Sequence, residues 1–480
     1  MILAIDAGTT GVTAIAVDDR GQISFRGYSE FPQHYPQAGY VEHDLAEIWQ
    51  ATLVAVKQVL EGTRDFEAVG ITNQRETVGV WNRKTLQPLA PAIVWQDRRT
   101  TAILDELGAD SSVQKITGLP LDPYFSASKL RWIAKHNKDV WAKVLSGEAV
   151  VGTIDTYLIA KLTGGKVHVS DASNASRTQL LDIHTGAWSE QLLNLFEIPA
   201  RAIAEVSNSG GVIGTTEDFF GLQLPISGIA GDQQAALFGQ TQFEVGGAKC
   251  TYGTGAFILQ NTGDKAVIQE NGLISTVAWQ LDGKLTYASE GSVFVSGAAV
   301  QWLRDELKII SSSKQIEALA LTVADSGGVV FVPALTGLGA PYWIPDARGS
   351  VYGLTRGTER GHLARATLEA MAFQVRDVFD AMSQTGIKLS SLRVDGGASA
   401  NNLLMQIQSD LLHIPIQRPM QLESTALGAA YLAGVGIGKW TLSDLKALNP
   451  VESEFQPRSN YESKYLLWQK AVKATISFAE

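Results

Sequence analysis

The sequence has very few of the residues that build cross-links and transition-metal sites. Its 480 residues include one cysteine, Cys250, which excludes a disulfide framework and a multi-cysteine metal site and is compatible with a reducing compartment. The seven histidines never stand three to five residues apart, so the paired-histidine spacing of zinc enzymes is missing. Any metal is therefore expected to be a hard cation bound by carboxylates.

Charge is also scarce, and basic charge most of all. Charged residues make up 18% of the chain, with 39 Lys and Arg against 49 Asp and Glu and a net charge of -10. Nucleic acids and anionic membranes are bound by clustered basic charge, so neither is an expected partner. Apolar residues at 45% are enough to build packed interiors and argue against long disordered stretches.

The sequence also has no long apolar run of the kind that spans a membrane. The first residues carry no basic leader and reach Asp6 early, which argues against a signal peptide. The longest uncharged run, residues 326–345, contains three prolines and four glycines and cannot be a spanning helix. We therefore expect a cytoplasmic protein without membrane insertion.

Short apolar segments alternate with longer amphipathic ones along the chain. The spacing predicts a helix over 45–60 followed by a strand over 69–72, and a helix over 359–382 followed by a strand over 392–394. Such alternation is typical of α/β proteins.

The length predicts two or three domains. We place an N-terminal domain at 1–240, a compact hinge near 240–247, a C-terminal domain at 247–440 and a helical tail at 441–480. The tail carries its aromatic residues on one helical face, so we expect it to pack on the body of the protein. The two main domains are expected to face each other across a cleft.

Two short turns rich in Gly and Thr are each framed by apolar segments. The first follows Asp6, and the second lies within residues 249–259. Glycine lets backbone N–H groups approach phosphate oxygens, and the hydroxyls of Thr9, Thr10 and Thr254 can donate to the same oxygens. One such turn alone is more often a plain hairpin, but the repeated design favours a polyphosphate held between the two. Neither GxxxxGK[ST] nor GxGxxG occurs, which argues against P-loop and Rossmann proteins.

Asp232 stands where an apolar run ends and an alanine-rich helical stretch begins. A carboxylate at that boundary is commonly a helix N-cap. It can also accept the proton of a bound alcohol that attacks a phosphoryl group. With Asp6 it could flank Mg²⁺, which binds a few carboxylates together with phosphate oxygens and water. Its position in the sequence favours none of these roles over the others.

Two further polar segments follow predicted strands. Arg75 and Glu76 would contribute little as a surface pair. In a cleft they would instead complement the adjacent hydroxyls of a polyol. Residues 395–402 place Gly397 where a nucleobase or ribose could approach closely, although a plain strand-to-helix turn fits that segment equally well.

With these segments in view, the chain closely resembles the FGGY carbohydrate kinases, and within them the branch that acts on glycerol. The resemblance covers nearly the whole chain and implies a two-lobed, actin-like ATPase (ribonuclease H-like) fold with a central cleft. It rests on eight segments: ITNQRET (71–77), IVWQDRRT (93–100), GLPLDPYFSASK (118–129), DASNASRT (171–178), GIAGDQQAALFGQ (228–240), TYGTGAF (251–257), GLGAPYW (337–343) and VDGGASANN (394–402).

The resemblance implies that ATP phosphorylates glycerol to sn-glycerol 3-phosphate. It implies Asp232 as the general base, and Asp6 together with Asp232 at a Mg²⁺ ion. The implied acceptor-binding residues are Arg75, Glu76, Tyr124, Asp232 and Gln233, with Trp95 and Phe257 against the carbon skeleton. The implied ATP-binding residues are Thr9, Thr10 and Thr254 at the phosphates and Gly297, Gln301, Gly397 and Asn401 at the rest of the nucleotide. A homodimer or homotetramer is also implied.

Two other functions stay open at this point. One is a kinase of the same family that acts on another polyol or a ketose. The other is an actin-like ATPase switch without an organic acceptor, which would share the phosphate turns but would have no need of the acceptor residues. The chain also departs from the family at Thr13, where its members commonly carry an arginine near the nucleotide phosphates.

Overall fold

The computed structural model describes residues 1–108 and 111–479, which form an α/β protein built from two related halves. The elements of the first half are β1 (Ile2–Ala7), β2 (Gly11–Val17), β3 (Ile23–Glu30), β4 (Glu42–His43), α1 (Leu45–Leu60), β5 (Ala68–Asn73), β6 (Val78–Asn82), β7 (Pro88–Ile93), α2 (Thr101–Leu107), α3 (Ser111–Thr117), α4 (Ser126–His136), α5 (Lys138–Ser146), β8 (Ala149–Thr153), α6 (Ile154–Leu162), β9 (Val169–Asp171), α7 (Ala172–Ala175), β10 (Leu181–Asp182), β11 (Ala187–Trp188), α8 (Glu190–Leu195), β12 (Glu205–Ser207), β13 (Gly210–Thr215), β14 (Pro225–Gly231) and α9 (Asp232–Gly239). Those of the second half are β15 (Gly247–Tyr252), β16 (Ala256–Gly263), β17 (Ile274–Leu281), β18 (Lys284–Val293), α10 (Gly297–Asp305), α11 (Gln315–Ala320), β19 (Val330–Val332), β20 (Ser350–Tyr352), α12 (Arg360–Ser383), β21 (Ser391–Asp395), α13 (Asn402–Leu412), β22 (Ile416–Pro419), α14 (Ser424–Gly436), α15 (Leu442–Leu448), β23 (Val451–Phe455) and α16 (Glu462–Ala479).

The two halves repeat one sheet topology. Two sections of one 13-stranded sheet, here called the first and second sheets, run in the orders β3-β2-β1-β5-β14-β13 and β18-β16-β15-β21-β22-β23. In both, two antiparallel pairs are followed by two parallel pairs and one antiparallel pair. Strand β17 joins them through a single register pair, Gly210 with Leu281. Duplication of one sheet explains why each half opens with the same strand, Gly-Thr turn and strand.

The register of three parallel strands positions the first half of the cleft. Ala7 of β1 lies opposite Asn73 of β5, which lies opposite Gly231 of β14. These strands therefore end at one edge of the sheet, where open α/β sheets bind ligands. The same edge receives Arg75, two residues beyond β5, and Asp232, the residue that follows β14.

The helices and strands predicted from spacing agree with the structure. Helix α1 covers the predicted range 45–60, and the Asp44 side chain caps it by accepting from the Ala46 N–H at 2.7 Å. Helix α12 begins and ends one residue later than the predicted range 359–382, within the usual uncertainty of helix boundaries. The predicted strands lie within β5 and β21.

Helices α9 and α14 cross closely between the two sheets. A Cβ atom on Gly428 would lie 1.8 Å from the Ala235 carbonyl oxygen, so only glycine permits this approach. Next to the crossing, the Gln240 amide donates to Asp395 at 3.1 Å and to Ser424 at 2.8 Å. The segment after α9, predicted as a hinge, is thus anchored to the second half at its start.

The prediction of a wholly helical tail is wrong, because the tail contributes β23 to the edge of the second sheet. Alternate residues of β23 face solvent, as expected of an edge strand. The last helix, α16, packs on α12. Its Trp468 ring stacks on Phe373 at 5.5 Å, and Trp468 and Tyr465 both donate to the Asp377 carboxylate. None of the helices within residues 1–108 and 111–479 combines the length and apolar character needed to cross a bilayer.

Candidate active site

Arg75 is buried at the centre of the cleft floor. Its Nε lies 3.0 Å from Asp232 Oδ1, and its two terminal nitrogens bind the Glu290 carboxylate at 2.5 and 3.0 Å. A planar guanidinium suits such paired contacts. Arg75 therefore ties the helix-starting aspartate of the first half to strand β18 of the second.

The main partner of Glu76 is Arg177, and not its chain neighbour Arg75. Its Oε1 accepts from Arg177 Nε at 2.6 Å, whereas Arg75 Nε is 3.9 Å away. Burial raises the pKa of Glu76 and the two arginines oppose that rise. Glu76 also has a left-handed backbone conformation, with φ of 61°, an uncommon state for a residue other than glycine. Within the described part of the chain its Oε2 has no hydrogen-bond partner, so this oxygen can accept from a ligand.

The sequence patterns do not identify two residues of this cluster, Glu290 and Arg177. Burial alone would raise the pKa of Glu290, but the guanidiniums of Arg177 and Arg75 hold it at about 2. Arg177 Nη2 donates to Glu290 Oε1 at 3.1 Å. The available signals were one acid inside the otherwise uncharged strand segment 285–293 and the arginine of DASNASRT. Neither signal identifies its partner more than 100 residues away.

Asp232 is the first residue of α9, and Gly231 is the N-cap, so the N-cap role considered for Asp232 is wrong. The Ser173 hydroxyl accepts from the Gly231 N–H at 3.0 Å and fixes the start of the helix. Asp232 Oδ1 accepts from the Gln233 N–H at 2.7 Å in addition to its ion pair with Arg75. Its Oδ2 has no partner among the residues described, and 28% of the side chain is exposed to the cleft.

An aromatic wall stands beside these carboxylates. Trp95 and Tyr124 meet edge to face at 5.6 Å, and Tyr124 is half-buried. The Trp95 indole N–H donates to Thr9 Oγ1 at 3.0 Å, which leaves the Thr9 hydroxyl hydrogen free to donate. The wall thus connects the acceptor side of the cleft to the first Gly-Thr turn.

Lys249 and Phe257 extend the site into the second half. Phe257 lies on β16 and is half-buried. The buried Lys249 ammonium donates to the Phe257 carbonyl at 3.2 Å, to Thr251 Oγ1 at 3.0 Å and to Gln233 Oε1. Burial lowers the pKa of Lys249, and the carboxylate of Asp395 acts in the opposite direction. Lys249 was not among the residues singled out from the sequence.

A cavity of about 620 Å³ opens next to the second Gly-Thr turn. Gly297 at its rim must be glycine, because a Cβ atom there would lie 2.5 Å from the Gly253 carbonyl oxygen. All five residues predicted on this side line the cavity: Thr254, Gly297, Gln301, Gly397 and Asn401. Its size and mostly apolar lining suit a nucleoside. Thr9 and Thr10 are not part of the cavity lining and lie on the opposite turn, between β1 and β2.

Asp6 and Asp232 are the two residues predicted to hold Mg²⁺. Burial raises the pKa of Asp6 to about 8, and the nearby Asp232 carboxylate adds to the rise. The Asp6 side chain has no hydrogen bond or ion pair within residues 1–108 and 111–479. No cluster of three or more His, Cys, Asp or Glu side chains suited to a metal occurs in that part of the chain. Asp232 is paired with Arg75, whereas the Asp6 carboxylate has no ion-pair partner in the described residues. Two such carboxylates fit a cation that keeps water and phosphate oxygens as its other ligands.

The raised pKa of Asp6 predicts a stability cost that depends on pH. A carboxyl with a raised pKa stabilises the fold fully only below its unfolded pKa, near 4, and this contribution is lost as the pH rises to about 8. In EDTA, Asp6→Asn should therefore unfold at a higher temperature than the unchanged protein. The gap should widen between pH 5 and pH 8, as measured by differential scanning fluorimetry. A gap that is constant or narrows with pH would contradict the burial of an uncompensated carboxyl.

Solved structures that superpose on this protein include kinases of small molecules. The structure superposes on Plasmodium falciparum glycerol kinase with ADP with a TM-score of 0.94 at 37% identity, covering 99% of this chain and 98% of that one. It superposes on gluconate kinase from Lactobacillus acidophilus with a TM-score of 0.91 at 22% identity, covering 99% and 98%, a likeness of fold alone. The two-lobed, actin-like fold with a central cleft is thereby confirmed.

The sequence comparisons assign the family. The chain belongs to the FGGY family of carbohydrate kinases, whose N-terminal domain model matches residues 1–239 and whose C-terminal domain model matches residues 248–437. It is 50% identical to glycerol kinase of Thermoanaerobacter sp. (strain X514), over 100% of this chain and 99% of that protein. It is 48% identical to glycerol kinase 2 of Thermotoga maritima, over 99% of both.

Proposed function

We propose that this protein transfers the γ-phosphoryl group of ATP to glycerol, giving sn-glycerol 3-phosphate and ADP. The observation that carries the proposal is the free Oδ2 of Asp232, held by Arg75 at the cleft floor near Glu76. Full-length identity of about 50% to glycerol kinases supports it. In this assignment Arg75, Glu76, Tyr124, Asp232 and Gln233 hold the hydroxyls, and Trp95 and Phe257 contact the carbon skeleton.

The geometry supports a division of roles between the two oxygens of Asp232. Oδ1 is occupied by Arg75 and the Gln233 N–H, which fixes the carboxylate plane. Oδ2 then accepts the proton of the attacking hydroxyl while the new O–P bond forms and the bond from Pγ to the bridging oxygen of ADP breaks. The free Oε2 of Glu76 accepts from a second hydroxyl and orients the acceptor.

ATP would occupy the cavity beside the second Gly-Thr turn. Its nucleoside is held by Gly297, Gln301, Gly397 and Asn401, and its phosphates extend between Thr254 and the hydroxyls of Thr9 and Thr10. Asp6 and Asp232 would hold a magnesium ion, which would supply positive charge to the phosphate oxygens. The Thr9 hydroxyl, oriented by Trp95, then donates to a phosphate oxygen of the bound nucleotide.

A panel of acceptors tests the proposal against its two alternatives. ADP formation should require an added polyol, and glycerol should give the highest kcat/KM among glycerol, erythritol, ribitol, xylulose and gluconate in a coupled assay. A ketose or a longer polyol as the best substrate would point to another member of the family. If ADP forms at the same rate with and without an acceptor, the protein is instead an actin-like ATPase.

Three further assignments complete the proposal. The domains are 1–240 and 247–440, followed by the 441–480 segment. The protein is a homodimer or homotetramer, which light scattering after gel filtration tests. Its location is the cytoplasm, which fractionation of the source cells tests.

A further inference from the structure

The buried Lys249 side chain contacts residues of both halves of the acceptor site. It lies on β15, the first strand of the second sheet, and its ammonium reaches Gln233 of α9. The side chain is completely buried, and the three oxygens around Nζ match the three N–H donors of an ammonium group. Lys249 therefore has a defined geometry and is not a solvated lysine.

The contact with Lys249 decides which way the Gln233 amide points. An ammonium group has no acceptor, so the amide must turn its oxygen to Lys249. The amide nitrogen then faces away, and it has no hydrogen-bond partner among the residues that the structure describes. Beside the free Oδ2 of Asp232, which only accepts, the site thus presents a group that only donates.

We propose that Lys249 is a positioning residue that sets acceptor specificity by locking Gln233 as a hydrogen-bond donor. This inference rests on the proposed function. The locked amide requires a lone pair on the acceptor group that meets it. A hydroxyl supplies one, whereas an ammonium group has none and would leave the amide N–H unpaired or clashing. The site is therefore built to select neutral polyols over amino alcohols of the same size.

Two amino analogues of glycerol probe this selection as competitive inhibitors. They are 3-amino-1,2-propanediol and 2-amino-1,3-propanediol, which between them replace a terminal and the central hydroxyl by an ammonium group. In the unchanged protein, at least one of the two analogues should bind about ten-fold or more weaker than glycerol.

Lys249→Met frees the amide to rotate, so the KM for glycerol should rise while the KM for ATP stays unchanged. The inhibition constant of that analogue relative to the glycerol KM should fall by about ten-fold.

A cycle with Gln233→Leu separates amide locking from the loss of a nearby positive charge. Leucine has no amide to rotate, so in the Gln233→Leu protein Lys249→Met should neither raise the glycerol KM further nor improve binding of the analogue. An equal gain in analogue binding with and without Gln233 would overturn the proposal.

Gln233→Glu keeps the proposal testable if Lys249→Met does not fold. One carboxylate oxygen can pair with Lys249 while the other faces the acceptor, so the amino analogue should bind more tightly and glycerol more weakly. Unchanged relative affinities in this variant would overturn the proposal. Failure of the unchanged protein to phosphorylate glycerol would instead contradict the proposed function itself.

Discussion

Asp232→Asn should lower turnover with glycerol by about two to four orders of magnitude, because an amide oxygen cannot take the proton of the attacking hydroxyl. ATP binding should stay close to normal, since the nucleotide cavity is lined by other residues. The Arg75 guanidinium keeps its bonds to Glu290 in this variant, so the cleft floor should hold its shape. Steady-state kinetics and calorimetric titration with ADP measure the two effects.

Asp139→Asn provides the matched control for this change. Asp139 is exposed in the first turn of α5. Replacing it by Asn makes the same chemical change far from the cleft. It should leave both turnover and ADP affinity unchanged. Near-normal turnover in Asp232→Asn, or a loss of ADP binding equal to its loss of activity, would remove Asp232 from the role of general base.

Glu290→Gln should destabilise the protein by about 3–5 kcal/mol, because it leaves two buried guanidiniums short of their shared counter-ion. Glu290 is fully buried and accepts from both Arg75 and Arg177. Urea unfolding at pH 7, followed by tryptophan fluorescence, measures the change. Glu306→Gln, at an exposed position at the end of α10, should unfold like the unchanged protein.

The same variant should show a definite dependence on pH. A carboxyl whose folded pKa is lowered to about 2 stabilises the fold above its unfolded pKa, near 4.5, and loses that contribution as the pH falls from 4.5 towards 2. The difference in unfolding free energy between the unchanged protein and Glu290→Gln should therefore shrink on acidification. A difference that is small at pH 7, or that grows towards low pH, would show that Glu290 is not the counter-ion of this cluster.

Local patterns predicted much of the cleft from the sequence. Both Gly-Thr turns lie between antiparallel strands, Asp232 opens a helix at a strand end, and Arg75 stands at the same sheet edge. These features follow from short-range hydrophobic spacing and from the glycines, which act over a few residues. Five of the seven residues that the family resemblance implied for ATP binding come together in one cavity of the second half, whereas Thr9 and Thr10 lie on the turn of the first half.

Partnerships over long distances could not be predicted. Arg75 and Glu76 are neighbours in the chain, yet each has its main partner elsewhere, Glu290 for the first and Arg177 for the second. Pairing across more than 100 residues depends on how two sheets face each other, which spacing along one strand does not encode. The strand β23 was missed for a related reason, since its charged, alternating residues become a strand only against the edge of β22.

³¹P NMR of one sample containing the protein, Mg²⁺, ATP and glycerol follows the γ-phosphoryl group itself. The γ-phosphate signal should be replaced by the signal of one glycerol 3-phosphate for each ADP formed, with little inorganic phosphate. Release of inorganic phosphate at the same rate with and without glycerol would contradict a cleft built around an alcohol and its base.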